Sequence, residues 1–183
     1  MWLFPTRKRP KEAQRLMDAC HATGMTSTGA LIIDGRHSDY LNIQVPSNIR
    51  VIATGEHAEF CAVLNLGVRL FPYERFYGFI PDDCVPRTRE WDKLLELEAG
   101  DWKISTSNDL LHGAGWLTPG VFGGELIREF GWIAPPGMIH LYIDNFWLFV
   151  AAQLENLRYR PDVLIEEFHF SNGKAPMDET YQR

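Results

Sequence analysis

One stretch constrains this chain more than any other. Phe76-Tyr77-Gly78-Phe79-Ile80 is a short apolar and aromatic run that stops at Pro81, and Asp82 and Asp83 follow at once. The run reads as a buried strand, because proline has no N–H to continue a ladder. Two carboxylates just past the carboxyl end of a buried strand stand where open α/β sheets bind ligands. Such a pair repels unless a cation sits beside it. Hard divalent ions favour oxygen donors, and Mg²⁺ is commonly held by one or two carboxylates plus substrate phosphates. The motif therefore reads either as a metal–diphosphate site or as a solvated acidic turn.

The rest of the chain supplies a matching pattern. Trp2 to Phe4 reads as a strand, and Pro5-Thr6-Arg7-Lys8-Arg9-Pro10 as a basic loop. Pro10 opens a helix whose apolar face is Ala13, Leu16, Met17 and Cys20, with Gly24 as its stop. A basic loop between a first strand and a first helix can cradle phosphate at the helix N-terminus. It can equally be a solvated turn or a contact to nucleic acid. Ala30–Ile33 is a second buried strand with Asp34 at its carboxyl end, where a carboxylate can bond a ribose hydroxyl or a base edge. Val51-Ile52 reads as a short third strand.

Phe60, Val63, Leu64, Gly67, Val68 and Phe71 keep a helical period up to Pro72. Asn65 and Gly67 are poor helix formers inside that pattern. Gly67 suggests close packing on the sheet; Asn65 suggests a satisfied polar group or a ligand contact. Thr88 reads as the N-cap of a helix to about Glu98, and 102–105 as a strand. The segment 106–120 is rich in Gly, Ser, Thr and Asn; it reads as a mobile loop in which His112 is incidental. Gly123-Gly124 precedes a short helix over 125–130, and 139–143 reads as extended chain. Asp144 starts a helix with Phe146, Trp147, Val150, Ala151 and Leu154 on one face. Strand-like segments at 157–159 and 163–165 lead to Glu166-Glu167-Phe168-His169, and a polar tail carries Lys174.

A chain of 183 residues can bury a full core. No apolar run reaches the roughly 20 residues of a membrane span, and the N-terminus does not read as a signal peptide. Cys20, Cys61 and Cys84 are odd in number and in no metal-like spacing, which points to free thiols and a reducing, cytoplasmic compartment. A formal charge of −6 gives no general attraction to nucleic acid, although Arg7, Lys8, Arg9 and Lys11 form a local basic stretch.

In order, these segments resemble a small GT-A-type glycosyltransferase of the family 2 kind. Pro5–Pro10 is similar to the family's opening Pro-Thr-x-x-Arg nucleotide loop, and Asp34 to its nucleoside-contacting acid. Asn65-Leu66-Gly67 resembles the Asn-x-Gly before the metal motif, and Asp82-Asp83 the DXD-type motif. Asp144 stands where inverting members keep their base, and His169 where many place a last metal ligand. The third motif position is Cys84, a soft thiol ill-suited to Mg²⁺, so the resemblance gives the ion to Asp83 and the ribose to Asp82.

The resemblance implies an α/β, single-domain GT-A-like Rossmann-type nucleotide-diphospho-sugar transferase fold over 1–183. Its central sheet would be mostly parallel and flanked by helices, with a core at about 3–169 and a tail over 170–183. It further implies an inverting hexosyl transfer from a nucleotide-diphosphate sugar, with Mn²⁺ or Mg²⁺ held by Asp83 and His169. Thr6, Arg7, Arg9, Asp34, Asn65, Asp82 and Lys174 would bind the donor, and Asp144 would take the acceptor's proton. The alternatives are a nucleotidyltransferase and a non-catalytic nucleotide-sugar-binding module. Glycan, protein, small molecule and hydroxylated DNA base all remain open as acceptor, and the oligomeric state is not readable.

Overall fold

A computed structural model describes residues 1–177. Strand β1 (Trp2–Thr6) sits inside the sheet, between β2 (Gly29–Ile33) and β4 (Phe76–Phe79), both parallel to it. With β3 (Ile49–Ala53), β5 (Cys84–Pro86), β6 (Ile104–Asn108), β7 (Gly120–Gly123) and β8 (Leu157–Glu167), the order is β3-β2-β1-β4-β7-β6-β8-β5. The β1–β2, β2–β3, β1–β4 and β6–β8 pairs are parallel; β4–β7, β6–β7 and β5–β8 are antiparallel. The helices are α1 (Pro10–Ala22), α2 (Phe60–Leu70), α3 (Trp91–Ala99), α4 (Gly124–Phe130) and α5 (Ile143–Leu154).

Alternation along β1 shows why the sheet needs helices on both faces. Leu3 packs in one core with Ala30, Ile32 and the buried sides of α2, α4 and α5. Trp2 and Phe4 pack in the other with Leu31, Ile33 and the buried sides of α1 and α3. Trp2 and Trp91 meet edge-on at 4.5 Å between ring centroids, and each side chain contributes ~2–3 kcal/mol through burial alone. Gly67 packs as expected: a Cβ there would stand 2.6 Å from the Leu3 side chain. The Gly123-Gly124 pair lies where β7 turns into α4, against the backbone carbonyls of Asp101, Glu74 and Arg75, with no room for a side chain.

Several expectations are corrected. The segment read as a mobile loop begins with β6, whose Thr106 and Ser107 are buried, so the connection shortens to 109–119. Short polar residues hid this strand because Ser105 and Thr106 satisfy their hydroxyls on the carbonyls of Leu95 and Pro119. Thr88 caps no helix: its hydroxyl bonds Asp162 and Leu164 of β8, and Glu90 precedes α3 in a left-handed conformation. The segment 139–143, expected as extended chain, forms no strand: it bends at 140, turns at 141–142 and enters α5 at 143. The two strands expected in 157–165 are one, with an irregularity opposite Ser107/Asn108. Strands β5 and β7 were not foreseen; they are three and four residues long. Part of the polar tail, 178–183, lies outside the described residues.

Candidate active site

Loops at the carboxyl ends of β1, β2 and β4 open into a cleft of ≈1220 Å³. Strands β2 and β4 lie on opposite sides of β1, a reversal of direction at which α/β sheets form a crevice. Thr6, Arg7, Arg9 and Asp34 line one part of the cleft, with Asp82, Asp83, Asp144 and His169 around the rest.

The basic loop is tied to the acidic pair. The Thr6 hydroxyl donates to Asp82 at 2.7 Å, and Arg9 Nη1 lies 3.2 Å from Asp82 and 3.4 Å from Asp83. Tyr40 fixes the same loop: its hydroxyl pairs with Thr6 at 3.0 Å and accepts the Arg9 backbone N–H at 3.1 Å. Lys8 holds a positive φ of 54° in this loop, uncommon for a residue with a side chain. Asp82 is buried and already engaged, whereas the Asp83 side chain is 19% exposed.

His169 reaches Asp83 through the backbone. The Phe168 N–H donates to the Asp83 carbonyl at 2.8 Å, extending the β5–β8 ladder, and His169 follows in extended conformation. Its Nδ1 pairs with the Ser171 hydroxyl at 2.7 Å. Burial lowers its pKa below the usual imidazole value, which favours the neutral, metal-binding form.

Asp34 is engaged at its edge of the cleft: one carboxylate oxygen lies 2.6 Å from His57 Nδ1 and the other accepts the Ala58 N–H at 2.6 Å. His57 Nε2 in turn lies 2.8 Å from Glu59, another cleft residue.

Asp144 stands in the first turn of α5 with one carboxylate oxygen, Oδ2, buried and without a hydrogen-bond partner among the described residues. Burial raises its pKa above the usual carboxylate value, offset in part by the backbone N–H groups of Asn145 and Asp144.

Two expected donor-binding residues are elsewhere. Asn65 lies outside the cleft lining: its amide oxygen accepts the N–H groups of Ile133 and Ala134 at 3.0 Å each, and its NH₂ donates to Ala134 at 2.8 Å. Lys174 is also outside the lining, paired with Glu166 at 2.6 Å. Asn65→Ala is therefore expected to lower stability by about 3 kcal/mol, since it strands buried backbone groups, and to leave nucleotide affinity unchanged. Denaturant melts and a nucleotide titration of the variant check both halves.

Three residues outside the sequence-based set stand against this site: Asp109, His112 and Glu167. Glu167 lines the cleft beside Asp83. The signal for Glu167 was its period-two relation to His169, which puts both on one side of an extended chain. Asp109 and His112 carried no such signal.

Burial, then the neighbouring Asp83, pushes Asp82 up to about 7, against the opposing Arg9 and Thr6. Burial and Asp83 push Glu167 up to about 7 as well. Both groups hold protons more tightly folded than unfolded, so the stability they add is complete in acid and is lost as pH rises through about 7. Chelator-treated protein should melt at a lower temperature at pH 8 than at pH 5, and Mn²⁺ should raise Tm more at pH 8, where the carboxylates are ionised. A flat pH profile would contradict both assignments.

The sequence matches no protein-family model and no curated protein. Solved structures do match. A mannosyltransferase from Pyrobaculum calidifontis, solved with GDP-Man and Mn²⁺, aligns with 97% of this chain at a TM-score of 0.68 and 12% identity. Glucosyl-3-phosphoglycerate synthase from Mycobacterium tuberculosis, solved with Mn²⁺, UDP and its sugar product, aligns with 98% at a TM-score of 0.68 and 12% identity. The chain has the GT-A fold. It spans 57% of the mannosyltransferase and 73% of the synthase. A nucleotidyl transferase from Methanothermobacter shares the fold less closely, at a TM-score of 0.57 and 13% identity over 91% of this chain.

Proposed function

We propose that this GT-A chain transfers a hexosyl group from a nucleotide-diphosphate sugar to an acceptor hydroxyl, with inversion and with divalent-metal dependence. The observation that carries the reading is the single cleft: the Arg7–Arg9 loop, the Asp83–His169 pair and Asp144, distant in sequence, all line it.

The residues fit the metal that the fold implies. Asp83 would offer an oxygen and His169 a neutral nitrogen, a donor pair suited to Mn²⁺. Bound there, the ion supplies Lewis-acid stabilisation of charge on the leaving diphosphate. Arg7 in the cleft lining and Arg9 beside Asp82 and Asp83 add positive charge. Asp34 and Glu59 edge the pocket for the nucleoside. Asp144 accepts the acceptor's hydroxyl proton on its unpartnered oxygen as that hydroxyl attacks the anomeric carbon. Burial makes this carboxylate more basic than an exposed one, and the helix holds it in place.

Nucleotidyl transfer is the weaker reading. Its usual glycine-rich phosphate loop has no counterpart in 5–10, which contains no glycine. A hydroxyl-bearing glycan, protein, small molecule or DNA base fits the acceptor role. Among the described residues no helix is long and apolar enough to cross a membrane. The three cysteines are buried and free, consistent with a reducing compartment.

A thermal-shift panel of UDP, GDP, CDP, dTDP and ADP, each with Mn²⁺ or chelator, tests the reading. One nucleotide is expected to raise Tm by several degrees, and only with Mn²⁺ present. No shift with any diphosphate in folded protein would overturn it.

A further inference from the structure

Behind the Glu167 wall of the cleft lies a second group of metal-type ligands: Asp109 after β6, His112 in the loop that follows, and Glu167 at the end of β8. Their ligand atoms all lie within 4.8 Å of one another. The backbone fixes this arrangement, because the Glu167 N–H donates to the Asp109 carbonyl at 3.1 Å.

Each side chain is held so that one donor atom is left for the centre of the group. Asp109 is fully buried, and its Oδ1 accepts the N–H groups of Leu111, His112 and Gly113 at 2.9, 2.8 and 3.1 Å. Only Oδ2 remains, 2.9 Å from His112 Nδ1. The His112 ring stacks on Trp116 at 4.7 Å, which sets its plane. Glu167 is 8% exposed, and among the described residues its Oε2 has no hydrogen-bond partner, although it stands 3.6 Å from the same His112 Nδ1. That oxygen is the independent sign of a cation site, since a buried carboxylate oxygen is costly without a partner.

The spacing suits coordination. Ligand atoms about 2.1 Å from a shared ion stand roughly 3.0–3.4 Å apart in octahedral or tetrahedral geometry. The two edges from His112 are 2.9 and 3.6 Å, and the third, between the carboxylates, lies within 4.8 Å, an opening that an ion would draw closed. Charge points the same way: Asp83, Asp109 and Asp144 all act on Glu167, and among these neighbours only His112 opposes them. A side chain 33% exposed at His112 gives an ion a way in.

We propose that Asp109, His112 and Glu167 bind a first-row transition-metal dication of the Zn²⁺ or Mn²⁺ type, at a site distinct from Asp83 and His169. One imidazole with two carboxylates suits such ions better than Mg²⁺, which keeps to oxygen and to its waters. The ion takes the place of the Nδ1 proton of His112. It neutralises Glu167 beside Asp83 and anchors the 109–119 loop, which carries Trp116 to the cleft.

The site requires neither nucleotide nor turnover, so its test stands apart from that of the transferase reading. Chelator-treated full-length protein is titrated calorimetrically with Zn²⁺, Mn²⁺ or Mg²⁺ alone, followed by X-ray absorption at the Zn edge. Wild type and Asp83→Asn should both take up a Zn²⁺ or Mn²⁺ ion with one imidazole and oxygen neighbours. Glu167→Gln and His112→Ala should each weaken that ion more than about 100-fold, with unchanged circular dichroism. Glu167→Gln keeps the side chain's shape and decides the matter if His112→Ala folds poorly. The proposal is overturned if wild type binds no such ion, or if Asp83→Asn abolishes binding that the other two variants retain.

Discussion

Asp144→Asn is expected to lower kcat by about 10³-fold, in the range for loss of a general base, while donor affinity and Tm stay the same or Tm rises. The two readouts separate because the base proposed at Asp144 is a group that burial destabilises. Its carboxylate is buried, its Oδ2 has no partner, and its pKa is raised, so the ionised form destabilises the folded state at neutral pH. An amide of the same shape removes the buried charge and keeps the helix. The raised pKa also puts the acidic limb of kcat/KM above the usual carboxylate range, with activity rising as Asp144 loses its proton. Steady-state kinetics across pH, with melts of both proteins, check this. Retained turnover would remove Asp144 as base; loss of turnover together with a large fall in Tm would make it structural.

Asp83→Ala is expected to abolish Mn²⁺-dependent nucleotide binding and to lower kcat/KM by about 10³-fold, because metal stabilisation of a leaving diphosphate is worth several kcal/mol. Asp82→Ala should behave differently. Asp82 accepts from Thr6 and Arg9 and holds the basic loop, so its loss should lower Tm and raise donor KM. A metal titration by nucleotide-dependent thermal shift distinguishes the two. Equal loss of metal response in both variants would show the pair acting as one ligand.

The sheet's central strands were legible because each is an apolar run ending at a chemical mark: Thr6 as the last residue of β1, Asp34 after β2, Pro81 after β4. Glycine 67 was legible too, since a poor helix former in a strong helical pattern needs a packing reason. Strand β6 was not, because Ser105, Thr106 and Ser107 imitate loop composition, while Ser105 and Thr106 satisfy their hydroxyls in ways that only the folded neighbours reveal. The sequence leaves Asn65 open between a satisfied polar group and a ligand contact, because its partners, Ile133 and Ala134, lie across a long sequence gap. His112 was dismissed because nothing local marks it; it acquires company only when β6 and β8 pair in parallel and bring Asp109 beside Glu167.

The junction of β5 and β8 has a consequence for motion. Three residue pairs, Cys84–Glu167, Val85–Glu166 and Pro86–Ile165, join these strands at the sheet margin, and among the described residues β5 has no other strand neighbour. The Phe168-to-Asp83 hydrogen bond continues that short zipper to the two residues assigned to the metal. Marginal ladders open at lower free energy than the strands inside a sheet. The amide proton of Phe168 therefore senses whether Asp83 and His169 are together. Its exchange with solvent deuterium reads the integrity of the centre, while the amides of β1 read that of the whole protein.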